Sequence, residues 1–350
     1  MNLGRVVVTE EGWTSPKTRS PSICSSSRDT EASRLVHGAV FYHGRDELLA
    51  EVSCFIEDAR AEGEATLALF PDDTLERLRS GLGPVGEQVR FEDMAALGRN
   101  PARILPALQD FVDRHQGPVR VVEQPVWPGR SETETIEMLC HEGLVNAVLA
   151  RADARIVCAY DTQLLGEGTL EAARRVHPQI GSTAHGLHKN LNYVADGATD
   201  RHLRDGLDRP RPPVEEIPIT VDLSALRARV ASSPLTVSLP RPRREDFVLA
   251  VNEAAANALE YGQVPRIARL WRAGASVIGE VVARGRIQDP LVGRRRPDPR
   301  AVRGRGLWIV NQLCDLVQLR QDGPSTRLRL HIYEGGEADR KYSGERADDR

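Results

Sequence analysis

Between residues 37 and 193 the sequence alternates between short strand-like runs and longer helix-like runs. The strand-like runs include ATLALF and RIVCAYD, whereas DELLAEVSCFIEDARAEG places its apolar residues on one helical face and ends at Gly63. Ser131 and Glu134 form a capping box at the start of another helix. Regular alternation of this kind is typical of a parallel sheet covered by helices. We therefore predict an α/β fold for this part of the chain.

The chain after residue 216 has a different order of elements. Helices are predicted near residues 223–231, 244–261 and 306–314. The runs LTVSLP, PRIARLW, ASVIGEVVA, LVQLRQ and TRLRLHIY are strand-like. Because consecutive strands are joined by short turns and the helices stand apart, we predict an α+β sandwich with helices on one face of a mixed sheet.

Composition sets the domain boundaries. The first residues are rich in Ser, Pro and Arg and bury too little apolar surface to offset the entropy of ordering. The polar, Pro-rich stretch DRHLRDGLDRPRPPVEEIP separates the two folded parts. We predict a disordered lead at 1–36, the α/β domain at 37–194, a linker at 195–216, the α+β domain at 217–333 and a disordered tail at 334–350.

Charge and hydropathy exclude several classes of function. With 47 basic and 50 acidic residues the net charge is -3, so no overall field attracts nucleic acid or an anionic membrane. No segment approaches the ~20 apolar residues of a membrane span, and the N-terminal apolar run is too short for a signal peptide. The chain has three lysines, none in a glycine-rich loop, which excludes a Walker-type phosphate loop. We predict a cytoplasmic protein with no direct nucleic-acid or membrane partner.

The cysteines and one helical histidine are the candidates for a metal site. The five cysteines are widely spaced and lie mostly in apolar runs, so we predict reduced core residues without metal-ligand spacing. His141 and Glu142 begin the helical segment HEGLVN, but Val145 occupies the position where a helical zinc site needs its second imidazole. This excludes that kind of zinc site and predicts a half-exposed helix histidine at position 141.

The helical segment DFVLAVNEAAANALEYG places Glu253 and Asn257 one turn apart on the same face. Small alanines beside them allow a ligand to approach the helix. An amide oxygen is a ligand for the hard magnesium ion, and a carboxylate orients or deprotonates a nucleophile. Taken alone, such a pair is more typical of a solvated helix face.

A basic, irregular loop ends in Gly304, Arg305 and Gly306 directly before an apolar helix that begins with Leu307. Glycines at a helix N-terminus expose backbone N–H groups to an anion, and the helix dipole favours negative charge there. The alternatives are a solvated basic loop and a nucleic-acid patch, the latter disfavoured because no aromatic residues interleave the arginines.

Together these motifs resemble the GHKL (HATPase) superfamily, most closely its anti-sigma-factor serine kinase branch, over residues 217–333. The carrying segments are NEAAANALEYG, ARGRIQDP and GRGLWIVNQLCD. The resemblance implies a Bergerat-type site for ATP and magnesium, with Glu253 as catalytic base and Asn257 as the magnesium ligand. The residues implied to contact the nucleotide are Asn257, Gly285, Gly304, Arg305, Gly306 and Leu307.

One position departs from that family's pattern. Ala283 stands where the first glycine box usually has an aspartate that accepts the adenine amino group. Loss of such a buried hydrogen bond costs roughly 1.5 to 3 kcal/mol, or about ten- to a hundred-fold in affinity. Asp289 lies six residues further on, in an Asp-Pro turn, and is not expected to replace it.

The α/β domain resembles the MEDS sensory domain of a dichloromethane-responsive regulator and of methanogen and methylotroph proteins. The carrying segments include HGAVFYHGRDELLAEV, EQPVWPGRS, MLCHEGLVNAVL and RRVHPQI. The resemblance implies a sensor of an unidentified small molecule. His37, His43, Asp161 and His177 are candidate lining residues at the strand ends, where parallel sheets place ligands, although each is more often structural or simply exposed.

These resemblances imply an anti-sigma factor with ATP-dependent protein serine/threonine kinase activity. It would sequester a sigma factor, phosphorylate a serine of an antagonist protein and form a homodimer through the ATPase domain. The first alternative is a pseudokinase that binds its partner without chemistry, suggested by Ala283. The second is a sensor histidine kinase phosphorylated on His141.

Overall fold

A computed structural model describes residues 34–195, 206–210, 212–287, 289–298, 300 and 304–334. The described residues fall into two compact units, one on either side of position 200. Nearly all of the predicted lead and tail, and part of the predicted linker, lie outside the described residues. No helix within the described ranges combines the length and the apolarity needed to cross a membrane.

The N-terminal unit contains a seven-stranded sheet with the order β3-β2-β4-β5-β1-β6-β7. All neighbouring strands are parallel except β6 and β7. The strands are β1 Val36–Tyr42, β2 Ala65–Phe70, β3 Val89–Asp93, β4 Val119–Glu123, β5 Ala154–Asp161, β6 Gln179–Ser182 and β7 Gly186–Lys189. The predicted α/β fold is confirmed.

The helices of this unit connect the parallel strands. Gly63 ends the first helix in the left-handed conformation, at φ 71°, and Ser131 caps the fifth through the predicted capping box. The helices are α1 Arg45–Glu62, α2 Asp72–Leu82, α3 Met94–Leu97, α4 Ile104–Asp113, α5 Glu132–Val148 and α6 Glu167–Val176. The predicted end of α1 at Gly63 and the predicted capping box of α5 are therefore both present in the structure.

The two faces of this sheet have different characters. Side chains alternate along each strand, so Val40 and Val157 point to the face that packs apolar side chains of α1 and α2. His37 and Cys158 point to the opposite face, towards α5. A continuous apolar core thus covers one face, and polar groups are enclosed on the other.

The C-terminal unit contains a five-stranded sheet with the order β11-β12-β10-β9-β8. Its strands are β8 Glu215–Pro218, β9 Gln263–Ala273, β10 Ser276–Arg284, β11 Leu316–Asp322 and β12 Ser325–Tyr333. Its helices are α7 Leu223–Ser232, α8 Pro234–Val237, α9 Arg241–Tyr261 and α10 Gly306–Leu313. The predicted α+β fold is confirmed, but the sheet is antiparallel throughout the described residues rather than mixed.

One predicted strand is wrong. The run LTVSLP contributes to α8 and the turn that follows it. Ser233 caps this short helix by accepting the N–H of Leu235, and Pro234 occupies the first helical position. These local starting signals outweigh the apolar alternation of the run.

Helix α9 packs across the C-terminal sheet through a face of Phe247, Val251 and small residues. Gly279 in β10 makes room for it, because a Cβ at that position would lie 2.9 Å from the Phe247 ring. The opposite side of α9 is left to carry polar side chains.

Candidate nucleotide-binding site

Glu253 and Asn257 lie on the polar side of α9 and are both half-buried. Glu253 Oε1 accepts a hydrogen bond of 3.3 Å from Asn252 Nδ2, and Asn252 Oδ1 accepts one of 2.9 Å from Arg227. The carboxylate is therefore oriented by its neighbours. The Nδ2 atom of Asn257 is buried without a hydrogen-bond partner, so this amide has unused hydrogen-bonding capacity.

The N-terminus of α10 meets this pair directly. A Cβ at Gly306 would lie 3.0 Å from Asn257 Nδ2 and 3.2 Å from Glu253 Oε2. No side chain caps α10, so the N–H groups of its first turn retain their capacity to bind an anion. Gly304 has φ 87°, a backbone conformation that favours glycine. The predicted carboxylate, amide and glycines therefore lie together.

The arginine-bearing loop that precedes Gly304 packs against α10 and is hydrogen-bonded to it. A Cβ at Gly293 would lie 2.7 Å from the Cβ of Leu307, and Gly293 has φ 75°. The carbonyl of Gly293 accepts a hydrogen bond of 2.9 Å from Asn311. Arg305, the N-cap residue of α10, donates to the carbonyl of Asp298 at 3.4 Å. These contacts bring the described part of the loop against α10.

The adenine end of the predicted site has no carboxylate at the family's usual position. Ala283 is 1% exposed, and a Cβ at Gly262 would lie 2.7 Å from its Cβ. Asp289 Oδ1 accepts the N–H of Leu291 at 2.9 Å, which commits this oxygen to a turn. The residue opposite Ala283 on β12 is Thr326, a buried hydroxyl that sequence reasoning did not single out.

Gly285 directly follows β10 and uses its backbone groups within the domain. Its N–H donates to the carbonyl of Pro324 at 2.8 Å, and its carbonyl accepts from Thr326 Oγ1 at 2.9 Å. Its φ of 149° lies in the region that favours glycine. Both backbone polar groups of Gly285 therefore already have partners. The predicted contact of Gly285 with the nucleotide would be van der Waals packing rather than a hydrogen bond.

The donor set fits a magnesium-bound triphosphate. The orphaned amide of Asn257 and the space that a Cβ at Gly306 would fill lie at the uncapped N-terminus of α10. An amide supplies either an oxygen to magnesium or a nitrogen donor to phosphate, since its two ends have nearly the same shape. The oriented carboxylate of Glu253 completes a set suited to phosphoryl transfer.

In the N-terminal unit, a cavity of about 510 Å³ opens at the carboxyl ends of the strands. Its lining includes Tyr42, Arg45, Gln124, Trp127 and Asp161. Burial, followed by the charge of Asp161, raises the pKa of Tyr42 above its usual value. This is the edge at which open parallel sheets place ligands.

The four predicted lining residues do not form one site. Asp161 lines the cavity. The exposed His43 lies nearby, with its Nδ1 3.5 Å from the hydroxyl of Thr162, the residue that follows Asp161. His37 and His177 lie instead inside the domain, with ring centroids 4.5 Å apart. The prediction of a shared strand-end site is wrong because His37 stands at the beginning of β1, not at its end.

The interior histidines share their environment with buried acidic groups. Burial and then repulsion by His37 lower the pKa of His177, and burial and then Glu142 raise the pKa of Glu123. Burial also raises the pKa of the Cys158 thiol. Burial of Glu142 favours its neutral form, but the adjacent imidazoles of His177 and His37 outweigh burial and hold the pKa of Glu142 below the usual range.

His141 and the cysteines differ partly from expectation. His141 is fully buried on α5 rather than half-exposed. The prediction of buried thiols is confirmed for Cys140, Cys158 and Cys314, whereas Cys54 is half-buried. The fifth cysteine lies outside the described residues.

Two family models match the chain. Residues 36–178 match the MEDS domain, the methanogen/methylotroph, DcmR sensory domain. Residues 220–332 match the histidine kinase-like ATPase domain. None of the curated proteins compared with this chain matches it. The chain joins a MEDS sensory domain to a histidine kinase-like ATPase domain, and this combination makes it a signalling regulator.

Proposed function

We propose that this cytoplasmic regulator binds magnesium ATP where α9 meets α10 and transfers the terminal phosphoryl group to a serine or threonine of a partner protein. The observation that carries the proposal is the packing of Gly306 against Asn257 and Glu253. Only a residue without a side chain leaves the amide, the carboxylate and the helix N-terminus open to one ligand.

The chain's own residues divide the work. Asn257 would hold the magnesium ion, and the first turn of α10 with Gly304 would receive phosphate oxygens. Glu253 would accept the proton of the attacking hydroxyl, while Asn252 holds its other oxygen in place. Bound magnesium ATP supplies the phosphoryl group and neutralises the charge that develops during transfer.

The proposed partners follow from the resemblance to anti-sigma-factor kinases. The ATPase domain would sequester a sigma factor and phosphorylate an antagonist protein, acting as a homodimer. The MEDS domain would bind an unidentified small molecule as its signal. The proposed binding site is the cavity at the carboxyl ends of the strands.

A partner-binding protein without chemistry is the second candidate. It is favoured by Ala283, which leaves no carboxylate at the usual adenine position. The third candidate, a sensor histidine kinase that uses His141, is disfavoured because that side chain is fully buried.

Calorimetric titration of magnesium ATP into the full-length protein tests the proposal, with GTP and ADP as comparators. We expect low-micromolar ATP binding that Asn257→Ala abolishes. Asn192→Ala, an exposed asparagine of the other unit, is the matched control and should bind as the wild type does. Circular dichroism checks that both variants are folded.

A kinase assay then separates the first two candidates. Incubation with labelled ATP and an antagonist protein should give phosphoserine or phosphothreonine, which is stable to acid, and Glu253→Gln should abolish it without preventing ATP binding. No binding at millimolar nucleotide would overturn the proposal and leave the partner-binding protein. Acid-labile label on the chain itself would indicate the histidine kinase.

A further inference from the structure

Four buried side chains converge between the sheet and the helices of the MEDS domain. His37 comes from β1, Glu142 from α5, Cys158 from β5 and His177 from the end of α6, and none is more than 1% exposed. One ligand atom of each lies within 4.8 Å of those of the other three. We call these four residues the interior cluster.

The two imidazoles are held with the same nitrogen facing inward. His177 Nδ1 donates to the carbonyl of Ala173 at 2.7 Å, and His37 Nδ1 donates to Asn146 Oδ1 at 2.9 Å. The Asn146 amide is itself fixed, because its nitrogen donates to the carbonyl of Val176. Nδ1 of each ring is therefore engaged by an acceptor outside the cluster, and each ring turns its Nε2 into the cluster.

The inward-facing atoms are two imidazole nitrogens, one sulfur and one carboxylate oxygen, and they lie close together. Glu142 Oε2 is 3.2 Å from His37 Nε2, 3.3 Å from His177 Nε2 and 3.3 Å from Cys158 Sγ. His177 Nε2 and Glu142 Oε1 have no hydrogen-bond partner although both are buried. Buried polar atoms left without a hydrogen-bond partner are costly, and a positive ion placed among these four atoms would satisfy them.

The Glu142 carboxylate is surrounded by the other three members of the cluster. Within the described part of the chain, no arginine or lysine pairs with Glu142, and its contacts are the two histidines and the thiol. A fully buried carboxylate is otherwise stabilised by pairing or by coordinating a metal.

Two imidazoles, one thiolate and one carboxylate form a donor set typical of zinc. In a tetrahedral zinc site, the usual bond lengths place neighbouring ligand atoms about 3.3–3.6 Å apart. The three separations from Glu142 Oε2 are 3.2–3.3 Å, close to those of a tetrahedron around one ion. The backbone and amide acceptors at each Nδ1 are the outer partners that orient histidine ligands.

We propose that the MEDS domain binds one divalent zinc-class metal ion through His37, Glu142, Cys158 and His177. The ion would join β1 and β5 to α5 and α6, so that it ties two helices to the sheet. Because all four ligands are enclosed, the ion would be resident in the folded domain. The site lies outside the ATPase domain, and the proposal does not rest on nucleotide binding.

The full-length protein, purified without a polyhistidine tag, tests the proposal by its metal content. We expect about one equivalent of zinc per chain by mass spectrometry. Removal of zinc should lower Tm, and re-addition of zinc at a hundredfold excess over Kd should restore about 5–10 °C.

Cobalt substitution identifies the ligands. Cobalt added to the metal-free protein should give the visible bands of a tetrahedral ion and a thiolate-to-cobalt charge-transfer band. Cys158→Ser should remove the charge-transfer band, and His177→Gln should weaken cobalt binding at least tenfold. The matched controls are Cys54→Ser, a half-buried cysteine, and His43→Gln, an exposed histidine, and both should retain the wild-type spectrum.

X-ray absorption by the wild-type zinc protein decides the result if the variants do not fold. The expected first shell has one sulfur and three nitrogen or oxygen neighbours. Less than about 0.1 equivalent of metal after reconstitution of the folded protein, or a first shell without sulfur, would overturn the proposal. In that case the interior cluster is a hydrogen-bonded polar core.

Discussion

Replacement of Gly306 by alanine should weaken ATP binding while leaving the fold intact. The added Cβ would lie 3.0 Å from Asn257 Nδ2 and 3.2 Å from Glu253 Oε2. Carbon contacts are favourable only from about 3.5 Å, so both side chains must move by several tenths of an ångström. The methyl group also fills the space at the first turn of α10.

The expected loss follows from the hydrogen bonds at stake. Displacing one charge-assisted contact between ligand and site costs about 1.5–3 kcal/mol, which corresponds to roughly ten- to a hundred-fold in Kd. The helix itself should gain slightly from Gly306→Ala, because alanine loses less backbone entropy on folding. The affinity for ATP should therefore fall, while the Tm of the nucleotide-free protein should stay the same or rise slightly.

Calorimetry with magnesium ATP and a thermal melt measure the two effects on the same samples. Gly168→Ala is the matched control, since Gly168 also lies in the first turn of a helix and a Cβ there would meet nothing within 4 Å. The control should bind ATP as the wild type does. If Gly306→Ala binds ATP within about threefold of a wild-type protein that does bind it, the contact of Gly306 with Asn257 and Glu253 does not shape the site.

Three further predictions concern other parts of the structure. Ala283→Asp should lower the Tm of the nucleotide-free protein, because it buries an unpaired carboxyl at a cost of about 1–3 kcal/mol, and calorimetry should show increased preference for ATP over GTP. Arg120→Met should destabilise the protein to urea by about 2 kcal/mol, since it removes the buried partner of Glu64, and adding Glu64→Gln should recover part of the loss. The raised pKa of Tyr42 favours the neutral phenol in the folded state, so its contribution to stability is present below pH ~10 and is lost as the pH rises further. Asp161→Asn should reduce this alkaline loss, measured as the difference in Tm between neutral and alkaline pH, and an unchanged difference would contradict the assignment.

The features that the sequence by itself determined are local ones: the ends of helices and the residues that share one helical face. The capping box at Ser131 and the left-handed glycine at position 63 act within one helical turn, so the predicted helix ends are found in the structure. The spacing of Glu253 and Asn257 is likewise a property of one helix. LTVSLP shows the limit, because a proline and a serine cap decide its conformation against its alternating pattern.

Contacts between distant segments were decided by the tertiary structure. The packing of Gly306 against α9 joins positions about fifty residues apart. The interior cluster joins four elements between positions 37 and 177, and only the parallel register of β1 and β5 with α5 and α6 above them brings the four ligand atoms together. No spacing rule along the sequence describes such a set, since each element contributes a single ligand. The separation of His37 and His177 from His43 and Asp161 has the same cause, because the two ends of a strand and its two faces become different environments only when the sheet is covered by helices.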